Sequence, residues 1–330
     1  MKNGGIILYN DEVKSMEKVE PKTQQNRRKK RSKKQYIPLY LMALPAVLYI
    51  FINNYLPLYG MKIAFTELDY SKGIFNGNFV GFKNFEFLFQ TDEAIIMIRN
   101  TILYNLAFII LGTLLSLAAS ILFNEIKNQV ARKFYQSAIM IPGVISMVIT
   151  SYLAFAFLSN ETGFINNSIL VPLGIEPISF YQEPIFWPFI LFFVNNWKGI
   201  GFSVMMYTAR IVSFPADYYE AAEIDGATKW QQIKNITLPL LKPVLILGIT
   251  LSLGRMFSTD FGLFYQLPMG SGALYNVTTT IDTYSFRALM KLGDVTMSTA
   301  TAVFQSVVGF VLLVFANLAV RKFSKDDAVF

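Results

Sequence analysis

Apolar residues gather in six long runs, and a polar island from Ser213 to Pro239 separates the fourth run from the fifth. The runs cover about Tyr36–Leu58, Thr101–Phe123, Ser137–Leu158, Ile185–Tyr207, Pro243–Leu263 and Ser298–Val320. Each reaches the roughly 18 to 20 apolar residues that carry a helix across a bilayer. The pattern therefore predicts an all-α polytopic membrane protein with six transmembrane helices. The island is too polar for lipid and reads as two short helices with a corner between them. Pro215 suits the first turn of the first helix. Asp225-Gly226 marks its end, because glycine accepts the left-handed conformation that closes helices. Thr228 is placed to cap the second helix, with Gln231 completing a capping box, and Pro239 is expected to stop it. Asp217, Glu220 and Glu223 fall three apart, on one side of the first helix. Ala221 and Ala222 are small enough to let another surface come close.

Charge orients the spans. Lys and Arg crowd the tail before span one, ending in Arg27-Arg28-Lys29-Lys30-Arg31-Ser32-Lys33-Lys34. They recur after span two (Lys127, Arg132, Lys133), in the island (Arg210, Lys229, Lys234, Lys242) and after span six (Arg321, Lys322, Lys325). The loop between spans three and four has no basic residue. Positive charge marks the cytoplasmic side, so both termini and the island face inward. Residues 1–35 read as a disordered basic tail. Directly before a span, such a run is more simply an anchor at anionic headgroups than a nucleic-acid site. The first apolar run is too long for a signal peptide, and no small-residue cleavage site follows it.

Composition narrows the chemistry. The 330 residues are 53% hydrophobic and 15% charged, with mean hydropathy +0.41. There is no cysteine and no histidine. Disulfides, thiol nucleophiles and thiolate metal sites are excluded, and the commonest general base and metal ligand are missing. The sequence carries no G-x-x-x-x-G-K-[ST] phosphate loop, so no catalytic residue, metal site or bound cofactor is expected in this chain. Composition alone leaves the island as either an ordinary solvated loop or a surface that docks another protein.

Residue order separates these readings. Glu220-Ala221-Ala222, Asp225-Gly226-Ala227 and Ile236-x-Leu238-Pro239 resemble the signature loop of the membrane subunits of binding-protein-dependent ABC importers. The likeness holds in residue type and spacing over about twenty positions. It extends to Gly163-Phe-Ile-Asn166, and to the outer stretches around Val80-Gly81-Phe82 and from Asp260-Phe-Gly262 through Arg287. Those pieces resemble the oligosaccharide branch, which includes the alginate importer's membrane subunits. The resemblance implies the type I (MetI-like) permease fold over residues 36–323, a coupling loop at 213–239 and a short cytoplasmic tail at 324–330. It also implies that Glu220, Ala221, Ala222, Asp225, Gly226 and Ala227 meet a cytoplasmic ATPase.

Span four holds Asn195-Asn196-Trp197-Lys198-Gly199. Intramembrane polar groups face cavities or partners, and asparagine and glycine equally serve as glue between helices. The stretch is similar to an Asn-x-Trp-x-Gly segment that contacts sugar in the maltose importer, with Lys198 replacing an apolar residue. That likeness puts Asn195, Lys198 and Gly199 on the substrate pathway, and Arg255 and Thr259 of span five are further candidates. Lys198 and Arg255, both expected near midspan, suggest an acidic, uronate-bearing cargo. The partners implied are a second, similar permease subunit forming a heterodimer, two copies of an ATPase that bind ATP and Mg, an extracytoplasmic solute-binding protein, the bilayer of a bacterial cell membrane and an oligosaccharide. A secondary transporter needs midplane carboxylates, for which only Asp260 offers itself. A membrane-embedded enzyme needs clustered acids, and the outer loops show only scattered ones.

Overall fold

The computed structural model describes residues 37–69, 71 and 73–323. Expectations for the two tails, 1–35 and 324–330, lie outside the described residues. The described chain divides into two compact units at Pro57–Leu58. The first holds α1 (Ile37–Ile50), apolar on every side, with Pro45 inside it, and a π-turn over Phe51–Tyr55. A helix apolar all round belongs in lipid.

The second unit begins with a 3₁₀ stretch that reaches Phe65, followed by a loop folded back through a single Thr66–Phe79 bridge. The Asn84 side-chain amide donates to the carbonyls of Ala64 and Thr66 and ties this loop down. Next comes α2 (Asp92–Asn124), capped by Thr91, whose hydroxyl accepts from Ala94 N–H at 3.2 Å. Asp92 and Glu93 favour this end through the helix dipole. The helix starts nine residues before the apolar run at Thr101, because Ala94 and Met97 are buried against Leu88, Phe257 and Ile281. Packing extends it where hydropathy gives no sign.

The third span is not the straight helix expected over Ser137–Leu158. It is a pair, α3 (Gln129–Val144) and α4 (Met147–Leu158), bent by 96°. Pro142 sits in the last turn of α3, Ile145 is extended, and the Ser146 hydroxyl caps α4 by accepting from Ile149 N–H. A proline close to a glycine, followed by a serine cap, restarts the helix in a new direction.

Span four is α5 (Trp187–Val212), followed by the island helices α6 (Asp217–Ile224) and α7 (Lys229–Gln232). A π-turn over Ile233–Thr237 leads into α8 (Leu238–Gly254). Pro239 therefore does not stop the second island helix. The wide turn shifts the bonding frame so that Leu238 N–H reaches Ile233 C=O, and the proline enters as the first turn of a new register. Helix runs from Lys229 to Gly254 over 26 residues. It ends nine residues short of Leu263, so Arg255 stands just past the helix terminus and not inside the helix. After a π-turn at Gly262–Gln266 come α9 (Ile281–Met290) and α10 (Val295–Phe323). Among the described residues five helices are long and apolar enough to cross a membrane, and six if the bent pair counts as one span.

Helix α5 packs on both α2 and α3, while α10 packs on α8 and α9. Small residues let backbones approach: a Cβ on Gly201 would come within 2.3 Å of the Ile139 carbonyl on α3. One apolar core gathers Trp187, Leu191, Val194, Leu263, Phe264 and Leu274. Trp187 is fully buried, and its indole N–H donates to Phe180 C=O at 2.6 Å.

Candidate functional site

The first candidate is the elbow between α5 and α8. Helix α6 ends in a paired closure: Ala227 N–H reaches Ala222 C=O at 2.9 Å and Gly226 N–H reaches Glu223 C=O at 3.1 Å, with Gly226 at φ +76°. This is a Schellman motif, which needs a residue free of the Cβ penalty at the left-handed position. The capping box read from Thr228 and Gln231 is formed. Gln231 N–H reaches Thr228 Oγ1 at 3.3 Å, and Thr228 N–H reaches Gln231 Oε1 at 2.7 Å. Pro215 lies just outside α6 rather than in its first turn.

No residue of α6 is buried. Tyr218, Ala221, Ile224 and Trp230 are exposed, with Ile224 at 86% and Trp230 at 70%. Exposed apolar side chains thus stand among acids at this helix corner. The four acids do not act alike. Glu223 pairs with Lys229 at 2.8 Å, and the hydrogen bond from Lys229 holds its carboxyl below the ordinary carboxylate range. Asp217, Glu220 and Asp225 form no ion pair among the described residues. Behind the elbow lies a cleft of about 440 Å³ bordered by Asn124, Lys127, Tyr219, Gln232 and Thr237. The Tyr219 hydroxyl meets Thr237 Oγ1 at 3.0 Å and joins α6 to the π-turn.

The second candidate is a cavity of about 420 Å³ among α2, α5 and α8, bordered by Asn105, Asn195, Asn196, Gly199, Ser252 and Arg255. Of the residues read as a pathway, Asn195, Gly199 and Arg255 come together there. Arg255 is exposed at the α8 terminus and forms no ion pair among the described residues. Lys198 and Thr259 do not line this cavity. The Lys198 ammonium donates to Pro142 C=O at 3.2 Å and also to Ile145 C=O. It caps the end of α3 at the bend, adding a donor to Pro142 C=O, which also accepts from Ile145 N–H at 3.3 Å, and serving Ile145 C=O, which lies past the end of the helix. Thr259 binds a carboxylate instead: its N–H and Oγ1 reach Asp282 Oδ2 at 2.6 and 2.8 Å. The other Asp282 oxygen accepts from Gln305 at 3.0 Å, so one carboxylate joins the segment after α8 to α9 and α10. Asp260 is exposed and caps Leu263 N–H locally at 3.1 Å. Asn105 was not singled out from the sequence. It borders the cavity and donates to Met256 C=O at 2.8 Å, and its signal was an amide inside an apolar run.

Comparison with known proteins gives consistent matches. Residues 108–325 match the family model described as "Binding-protein-dependent transport system inner membrane component". The chain is 32% identical over 289 residues to the polygalacturonan/rhamnogalacturonan transport system permease protein YteP of Bacillus subtilis, covering 87% of this chain and 89% of that protein. Among solved structures it resembles a chain of a bacterial ABC transporter involved in the import of the acidic polysaccharide alginate. That likeness has a TM-score of 0.80 and 30% identity, and covers 88% of this chain and 97% of the other. It is also similar to a chain of the bacterial alginate ABC transporter in complex with an alginate pentasaccharide-bound periplasmic protein. There the TM-score is 0.79 and the identity 31%, over 88% and 96% of the two chains.

Proposed function

The chain belongs to the family of inner membrane components of binding-protein-dependent transport systems, and on that premise we propose that it is the permease subunit of an ATP-driven importer of an acidic oligosaccharide. The observation that carries the reading is the elbow. It is an acid-faced, apolar-tipped corner between two spans, closed at its own helix ends and placed on the inner side by the charge distribution. Two copies of a cytoplasmic ATPase, with ATP and Mg bound to them, would receive this elbow and that of a second, similar permease subunit. The sequence contains no phosphate loop of its own. Closure of the ATPases on ATP draws the elbows together, and the bundle alternates between outward and inward access. Glu220 supplies a charge to the ATPase cleft, Ala221 and Ala222 permit close approach, and Gly226 sets the corner.

The cargo assignment is supported by the cavity and by the relatives' cargoes. Asn105, Asn195 and Asn196 offer amides suited to sugar hydroxyls, and Arg255 offers a guanidinium with no carboxylate partner among the described residues. One relative transports polygalacturonan/rhamnogalacturonan, and another imports the acidic polysaccharide alginate. An extracytoplasmic binding protein would deliver the oligosaccharide from the side opposite the elbow.

The experiment is Gly226→Val in the assembled transporter. A β-branched residue at φ +76° is strongly disfavoured. The complex is expected to reach the membrane and to hydrolyse ATP without uptake. Normal uptake by this variant, or failure of a cysteine at Ala221 to crosslink to the ATPase, would remove the coupling role.

A further inference from the structure

The segment between α8 and α10 carries a second group of cations outside the cavity. Tyr275 stands at its centre. The Arg287 guanidinium lies over the ring, 4.0 Å from its centroid, and donates to Thr279 Oγ1 at 3.0 Å. The Lys291 ammonium donates to the Tyr275 phenol oxygen at 3.1 Å and is itself 5.8 Å from the same centroid. Arg99 reaches the adjacent residue, donating to Asn276 C=O at 2.9 Å. Neither Arg287 nor Lys291 forms an ion pair among the described residues. Two positive charges thus share one ring with no carboxylate to offset their repulsion. The hydrogen bond from Lys291 also draws the Tyr275 phenol below its ordinary pKa.

The aromatic surface continues inward. Tyr265 stacks on Phe261 at 4.9 Å, and Phe286 packs against the two at 5.0 and 4.6 Å. Phe261 follows Ser258 by three residues, and Ser258 borders the cavity beside Arg255. Along the chain, Arg255 precedes this cluster of rings, and Arg287 and Lys291 follow it. By the charge rule this segment lies on the outer side, where solute arrives.

We infer that Arg287, Lys291 and Tyr275 form an outer capture site for carboxylate-bearing sugar residues, ahead of the cavity at Arg255. The inference rests on the acidic-oligosaccharide reading above. Guanidinium and ammonium groups would take uronate carboxylates by charge-assisted hydrogen bonds. The rings of Tyr265, Phe261 and Phe286 offer flat apolar contact to the C–H face of a sugar on its way in. A carboxylate on the binding protein would also satisfy the cations. The ring surface leading toward the cavity favours a chain-shaped solute instead.

The test uses the assembled transporter in proteoliposomes with its ATPase and binding protein, and tetragalacturonate as the probe. The double variant Arg287→Gln, Lys291→Gln is expected to raise the uptake KM about fivefold at low salt, with the difference shrinking at high salt, as for a steering charge at a rim. Docking of the binding protein onto the proteoliposomes should be unchanged. An unchanged KM beside normal wild-type uptake overturns the capture site and leaves the acidic cargo intact. A KM rise matched by weaker docking assigns the cations to the binding-protein interface and overturns it as well. No wild-type uptake of tetragalacturonate removes the cargo reading and the site together. Should the double variant fail to assemble, Lys291→Glu, at an exposed position, carries the same comparison.

Discussion

Lys198 and Arg255 are both cations in apolar surroundings, and the structure gives them different work. Lys198 spends its donors on the backbone at the bend, while Arg255 stands at the cavity without a carboxylate. Their substitutions should therefore separate. Lys198→Met removes the ammonium donor from Ile145 C=O, while Pro142 C=O keeps Ile145 N–H, and is expected to cost about 1–3 kcal/mol of stability. Thermal unfolding of the purified complex would read this as a lower Tm, with little change in preference between acidic and neutral cargo. Arg255→Gln should leave Tm in place and raise the KM for an acidic oligosaccharide about tenfold, the loss of one charge-assisted hydrogen bond. If Lys198→Met changed the charge preference and Arg255→Gln did not, the two roles would be exchanged.

At the scale of elements, what could be read from the residues was what is settled over a few positions. The glycine closure at Gly226 and the Thr228–Gln231 box involve groups within five residues of one another, and both are formed. Thr228→Ala is expected to cost about 1 kcal/mol at the start of α7, measurable as faster amide exchange there. The break between α3 and α4 was not legible in the same way. Pro142 and Gly143 hinted at it, but the ammonium that caps it lies 53 residues away from Ile145. Nor could hydropathy place the end of α8, since Met256 and Phe257 continue the apolar run after the helix has stopped at Gly254. The lowered carboxyl of Glu223 adds a pH dependence to the elbow. Because the folded value lies below the unfolded one, the Glu223–Lys229 contribution is present at neutral pH and is lost as pH falls through the folded value. A double-mutant cycle on Glu223 and Lys229 should show coupling at pH 7 and none well below the ordinary carboxylate range of about 4.

For the molecule as a whole, the order of the apolar spans follows from hydropathy, and the helix pattern agrees with it: five long apolar helices among the described residues, or six if the bent pair counts as one span. The cavity was legible only in part. Asn195, Gly199 and Arg255 meet at one cavity, whereas Thr259 turned out to serve Asp282. Residues distant in sequence decide such assignments, and a linear pattern does not carry them. Because Asp282 holds both Thr259 and Gln305, Asp282→Ala should loosen the outer segment from α10. Proteolysis of the folded complex between residues 260 and 290 is expected to accelerate, with cleavage elsewhere unchanged.

The helix from Lys229 to Gly254 is unbroken across its π-turn. At 1.5 Å per residue its 26 residues make a strut about 39 Å long. Trp230 projects at one end and Arg255 stands just past the other. A shove delivered against the Trp230 end would arrive at the cavity beside Arg255 without passing through any break in the helix, so the strut would act as a push-rod between elbow and cavity.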